Sequence, residues 1–173
     1  MPHVQRSVYL HYSAEQMFDL VEDVESYPQF LPWCSASCIV ADREGGVDAS
    51  IDIAYKGIRS RFTTRNQHRY PEQIRLELID GPFRSLTGHW DFLPLRAGAC
   101  KVQLTLQYEF VNGLLGRAVA PVFDAIANSM VDSFAQRAEQ LYGPARNSRH
   151  GRLLRAGLRR RDRVDVARRG DGG

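Results

Sequence analysis

Lysine is nearly missing from this chain: of 23 basic residues only Lys56 and Lys101 are lysines. That bias suits a GC-rich bacterial genome better than any structural demand. Cysteine is scarce and odd in number, at Cys34, Cys38 and Cys100, which argues against a disulfide framework and for a reducing compartment. Cys34 and Cys38 lack a second ligand pair, and no histidine stands near Cys100 in sequence, so a zinc site is not expected. No run of about 18 apolar residues occurs, and no membrane-spanning helix is expected. The opening MPHVQRSVYLHYSAEQ has neither the basic start and apolar stretch of a secretory leader nor the Arg- and Ser-rich character of a transit peptide. A soluble, cytoplasmic, bacterial protein is the expectation.

What is present is enough for one core. The chain has 173 residues, 43% of them hydrophobic, which suits a single globular domain. Its net charge of +3 conceals a division. Residues 1–143 hold 13 basic and 17 acidic side chains, net −4; residues 144–173 hold 10 and 3, net +7. The boundary predicts a domain over 1–143 and a basic, disordered tail over 144–173. In that tail Leu153, Leu154 and Leu158, beside Arg159, Arg160 and Arg161, are spaced for a short basic amphipathic helix on an anionic surface.

Segment 4–10 reads as a strand. Ser13 then makes a good N-cap, with Gln16 three residues on as in a capping box. Met17, Leu20, Val21 and Val24 recur at helical spacing, so a short helix is expected from about Ala14 to Val24. It runs into ESYPQFLPWC, residues 25–34, where Pro28 and Pro32 exclude an ordinary helix interior. Connections are usually polar, yet Tyr27, Phe30, Leu31 and Trp33 are large and apolar. They are expected to turn inward as a wall, plug or gate of a core.

From residue 37 to 110 the period is two. Strands are expected at 37–42 and 47–56, with Val47, Ala49, Ile51, Ile53 and Tyr55 on one face and Asp48, Ser50 and Asp52 opposite. Others follow: 58–65, with Ile58, Ser60, Phe62 and Thr64 inward and Arg59, Arg61 and Arg65 outward; 74–78; 86–92; and 100–110. Turn signals at Lys56-Gly57, Tyr70-Pro71, Gly81-Pro82 and Arg96-Ala97-Gly98 separate them. One antiparallel sheet with one covered and one wet face results. From Leu114 to Tyr142 the period returns to 3.6, with Val119, Val122, Phe123, Ile126, Met130, Phe134 and Leu141 on one stripe. Pro121 is expected to kink this helix or mark its start, and Gly143-Pro144 to end it.

The order of elements predicts an α+β helix-grip fold, a seven-stranded curled antiparallel sheet around a long C-terminal helix. A single cylinder about 10 Å wide should leave a cavity against a curved sheet of that breadth. The stretches DVESYPQFLPWC, GPFRSLTGHWDF and YEFVNGLLGRAVAPVFDAIANSMVDSFAQRAEQLYG resemble the START-like family of coenzyme-Q-binding proteins and bacterial ribosome-association toxins. That family is a branch of the polyketide cyclase/dehydrase and lipid transport superfamily. The resemblance spans residues 1–143 and implies a hydrophobic tunnel. It implies one of two activities: binding of a ubiquinone-type isoprenoid lipid in support of respiration, or binding to the large ribosomal subunit so that subunits cannot join.

For a lipid the candidate lining or gate is Tyr27, Phe30, Leu31, Trp33, Tyr55, Phe62, Leu78, Trp90, Val102, Leu104, Phe123, Ile126 and Met130. Arg137, which interrupts the apolar stripe of the long helix, either covers apolar surface with its stem or presents its charge at a tunnel mouth. For RNA or an anionic surface the candidates are Arg59, Arg61 and Arg65 with the arginines of the tail. Catalysis is not expected: the inward polar positions are Ser60, Thr64, Tyr55 and Tyr108, His68 sits near a strand end, and Asp80 is the nearest inward carboxylate. No cofactor is required on this reading, a bound quinone or lipid is the expected ligand, and a monomer, peripheral at most to the inner membrane, is the expected state.

Overall fold

The computed structural model describes residues 3–144. The chain divides into two units, residues 1–138 and 139–173. Leu153, Leu154, Leu158, Arg159, Arg160 and Arg161 lie outside the described residues. Of the second unit, the described part is the last turn of a helix ending at Tyr142, then Gly143 at φ 73°, the left-handed value that a helix-ending glycine accepts without a Cβ penalty.

Seven strands form one antiparallel sheet in the order β1-β7-β6-β5-β4-β3-β2. They are β1 (His3–Leu10), β2 (Cys34–Arg43), β3 (Gly46–Tyr55), β4 (Ile58–Arg69), β5 (Gln73–Asp80), β6 (Phe83–Arg96) and β7 (Ala99–Phe110). Helix α1 (Ala14–Glu22) follows β1, and α2 (Leu114–Tyr142) follows β7. This is the expected helix grip, with strands longer than their alternating cores implied. Gly88 falls in the inward phase of β6, where a Cβ would stand 2.4 Å from the Thr105 carbonyl oxygen and 2.5 Å from Leu106 Cδ2. Only glycine lets β6 and β7 approach this closely at that point.

The capping box forms as expected: Gln16 N–H donates to Ser13 Oγ at 3.1 Å, and Ser13 N–H donates to Gln16 Oε1 at 2.9 Å. Helix α1 stops at Glu22, two residues early, because Asp23 has ψ 68°. The exclusion of a helix interior by Pro28 is narrowed to the α form. Val24–Gln29 is a 3₁₀ helix that includes Pro28, since proline's fixed φ near −65° is a 3₁₀ value. Pro121 likewise does not mark the start of α2. The helix begins seven residues earlier, and Pro121 lies exposed on it.

The core-facing stripe of α2 is Val119, Val122, Phe123, Ile126, Ala127, Val131, Phe134 and Ala138. Met130 is half-buried and Leu141 is exposed, so two assigned members give way to neighbours that follow the 3.6 period more closely. By length and hydropathy α2 could cross a membrane, but this stripe is core. The outer sheet face is less wet than its pattern implies. Asp48 is almost fully buried because Arg43 Nη2, at 2.6 Å, and Arg65 Nε, at 3.1 Å, both lie on its carboxylate.

Candidate functional site

Between α2 and the sheet the interior is largely filled by rings. Phe134 of α2 meets Tyr27, Phe30 and Trp90 edge-on with centroids 5.2–5.3 Å apart, and Phe123 meets Phe83 and Tyr108 at 4.8 Å. Such edge-to-face pairs contribute about 0.5–1.5 kcal/mol beyond burial. A helix cylinder alone leaves space against a curled sheet, but one that carries phenylalanines on both its turns and its facing strands does not. The open tunnel expected from the breadth of the sheet is therefore corrected. What remains is a cavity of about 70 Å³, far below the roughly 300–1,000 Å³ of pockets for drug-sized ligands.

Four of the candidate lining residues border this cavity: Tyr27, Phe62, Trp90 and Phe123. Leu31, Trp33, Val102, Leu104 and Ile126 are buried in the core behind it, and Phe30, Tyr55, Leu78 and Met130 are half-buried against that core. Leu31 and Trp33 are wall material. Arg137 does not border the cavity. Its Nη2 donates to Gln29 Oε1 at 2.9 Å and its guanidinium lies 5.0 Å over the Phe30 ring, fastening α2 to the 3₁₀ segment. Tyr27 donates its hydroxyl to the Val21 carbonyl, and burial pushes its phenol well above the usual tyrosine range.

The polar side of the cavity comes from Thr64, which alternation places inward, and from residues beyond it on the same strand. Alternation in β4 continues past Arg65, so Thr64, Asn66 and His68 all point inward, and all three line the cavity with Glu22 of α1. Extending the period by two more steps would have found Asn66 and His68. Thr64 Oγ1 donates to Asn66 Oδ1 at 2.7 Å, so the amide N–H groups of Asn66 are left to serve as donors toward the cavity. His68 Nδ1 stands 3.6 Å from Glu22 Oε1. Glu22 is the exposed member of the lining and His68 is half-buried, so this pair stands at the solvent edge of the cavity. The expectation of no inward histidine is corrected accordingly.

A second inward carboxylate also escaped the helix pattern. Asp124 falls on the polar side of the 3.6-residue period of α2, yet Tyr108 of β7 donates its hydroxyl to it. Burial first, and then this hydrogen bond, push the Tyr108 phenol well above its usual range. Asp80 is exposed. Among the described residues no cluster of three or more His, Cys, Asp or Glu side chains could hold a metal. The cysteines are free, Cys34 and Cys100 buried and Cys38 exposed.

On the outer face Arg61 holds Asp52 through Nε at 2.5 Å and Nη2 at 3.0 Å, and Arg65 shares Asp48 with Arg43. Of the three sheet arginines expected to meet an anionic partner, Arg59 alone has no carboxylate partner among the described residues.

An antiparallel seven-stranded sheet curled around a long C-terminal helix, with an apolar interior, is the START-like helix-grip fold. The chain belongs to the polyketide cyclase / dehydrase and lipid transport family, which it matches over residues 10–135. It is 45% identical over 143 residues to "Ribosome association toxin RatA" of Vibrio cholerae, covering 83% of this chain and 99% of that one. It is 29% identical over 138 residues to "Coenzyme Q-binding protein COQ10 homolog B, mitochondrial" of Xenopus laevis, covering 78% and 57%. A START superfamily protein from Mycobacterium smegmatis superposes with a TM-score of 0.69 at 24% identity, over 80% of this chain and 98% of that one, a likeness of fold.

Proposed function

We propose that the protein binds the large ribosomal subunit of a bacterium and opposes subunit joining, acting through its outside and not through its cavity. The observation that carries this reading is the near full-length likeness to a protein named as a ribosome association toxin. The interior supports it: a cavity of about 70 Å³ does not hold a quinone with an isoprenoid tail unless the ring cluster around Phe134 moves. The protein acts in the cytoplasm on this reading, as a monomer and without chemistry of its own. The test is a sucrose gradient. Full-length protein added to dissociated subunits should migrate with the large subunit and lower the yield of joined ribosomes. Protein left at the top of the gradient, with joining undiminished, would sink the reading.

A second reading keeps the ligand. Thr64, Asn66 and His68 form one polar column that ends at Glu22 in a cavity lined mostly by apolar side chains, the arrangement of a site that takes an apolar molecule with a polar head. A ubiquinone-type lipid in support of respiration fits that chemistry, at the cost of expanding the interior. Organic extraction of the purified protein followed by mass spectrometry separates the two readings. Stoichiometric quinone together with no ribosome binding favours the second.

A further inference from the structure

On the outer face of the sheet, cross-strand register sets five side chains side by side. Gln5 of β1 pairs with Thr105 of β7, Thr105 with His89 of β6, His89 with Arg75 of β5, and Arg75 with Gln67 of β4. Neighbouring strands lie about 4.8 Å apart, so the row is roughly 19 Å long. Every member can donate a hydrogen bond and none is a carboxylate or a large apolar group. The next row, Gln107, Thr87, Glu77 and Arg65, is in the same register. Between the rows lies a depression of about 340 Å³, lined by Arg65, Gln67, Arg75, His89 and Thr105 among others. No described element covers it.

Charge on this side of the sheet favours an anion. Arg43, Arg59, Arg61, Arg65, Arg69 and Arg75 stand against Asp48, Asp52, Glu77 and Asp80, an excess of two cations on the outer face of β2–β5 in a body whose net charge is −4. Two of the carboxylates are already spent on Arg43, Arg61 and Arg65. His89 is 3.1 Å from Asp91, and Arg75 has no carboxylate partner among the described residues. The centre of a protein–protein interface is apolar and aromatic; this face has neither property. Nucleic-acid interfaces are polar and cationic, and Arg, Thr, Gln and His are the side chains that hold phosphate and sugar oxygens.

We infer that this face, centred on Arg75 and Gln67, is an RNA-backbone contact surface, and that it is the part of the protein that meets ribosomal RNA. The inference rests on the ribosome reading for its target and adds the face that makes the contact. Arg75 supplies the charge, and the row of Gln67, His89 and Thr105 supplies the donors. With no aromatic side chain in either row, the contact is to backbone and not to stacked bases.

The test uses full-length protein, purified large ribosomal subunits and protein-free large-subunit RNA. Arg75→Glu should weaken binding to both about ten-fold or more. Arg75→Ala should lower the slope of log affinity against log salt by about one. Arg117→Glu, the same charge change on the exposed start of α2, should have little effect, and all variants should melt as the wild type does. If wild type binds subunits and Arg75→Glu binds equally well, the inference is overturned while the ribosome reading stands. If Arg75→Glu loses the subunit but wild type ignores protein-free RNA, the face meets ribosomal protein and the inference again fails. If wild type does not bind subunits at all, the reading and the inference both fall.

Discussion

Glu22, in the last turn of α1, and His68, near the end of β4, face each other at 3.6 Å across the exposed edge of the cavity. They join an element placed by a capping box to a strand placed by alternation, 46 residues apart in the chain. Replacing His68 with Ala removes both its contact with Glu22 and its edge-on packing against Phe18 at 5.9 Å. An environment-sensitive apolar dye is expected to bind His68→Ala more tightly than wild type. Unchanged dye binding would place the route into the cavity elsewhere.

Phe134 is the ring on which the filled interior depends. It is completely buried and touches Tyr27, Phe30 and Trp90. Phe134→Ala is expected to cost about 3–5 kcal/mol in denaturant unfolding. It should also enlarge the cavity, so long-chain apolar ligands should bind the variant better than wild type. A loss under about 1 kcal/mol would mean that the 3₁₀ segment collapses into the space.

How far the sequence could be read depended on how far each periodicity was followed. The seven strands, the capping box and the closing Gly143 were all legible, because alternation, a Ser/Gln spacing and a glycine before proline each have one local cause. The cavity was not. Whether a curled sheet is filled depends on where Phe134 and Phe123 meet Trp90 and Phe83, which is a matter of tertiary distance. Thr64 was visible as inward and polar, but stopping the alternation of β4 at Arg65 hid Asn66 and His68. Asp124 sat on the polar side of the helical pattern and still reached Tyr108, since a partly buried hydroxyl needs an acceptor.

Asp48 should make stability depend on pH in acid. Hydrogen bonds from Arg43 and then Arg65 hold its carboxyl down at about 2, below the usual 3.8. A group whose folded value is depressed contributes stability that is complete above its unfolded value and is lost as pH falls through the folded one. Melting temperature should therefore decline between about pH 4 and pH 2, and Asp48→Asn should flatten that part of the profile while lowering stability at neutral pH. A wild-type decline that Asp48→Asn leaves unchanged would assign it to other carboxylates.

Thiol reactivity should report the packing of both ends of the sheet. Burial pushes Cys34 and Cys100 up to about 11, so at neutral pH little of either is the reactive thiolate, and neither is accessible. Cys38, on the exposed side of β2, should react alone with a disulfide reagent in native protein, giving one equivalent of released thiolate and two more on unfolding. Cys38→Ser should abolish the fast equivalent. Rapid labelling of Cys34 in that variant would show that the start of β2, which follows the two prolines directly, opens in solution, and that the segment closing this side of the core is a moving part after all.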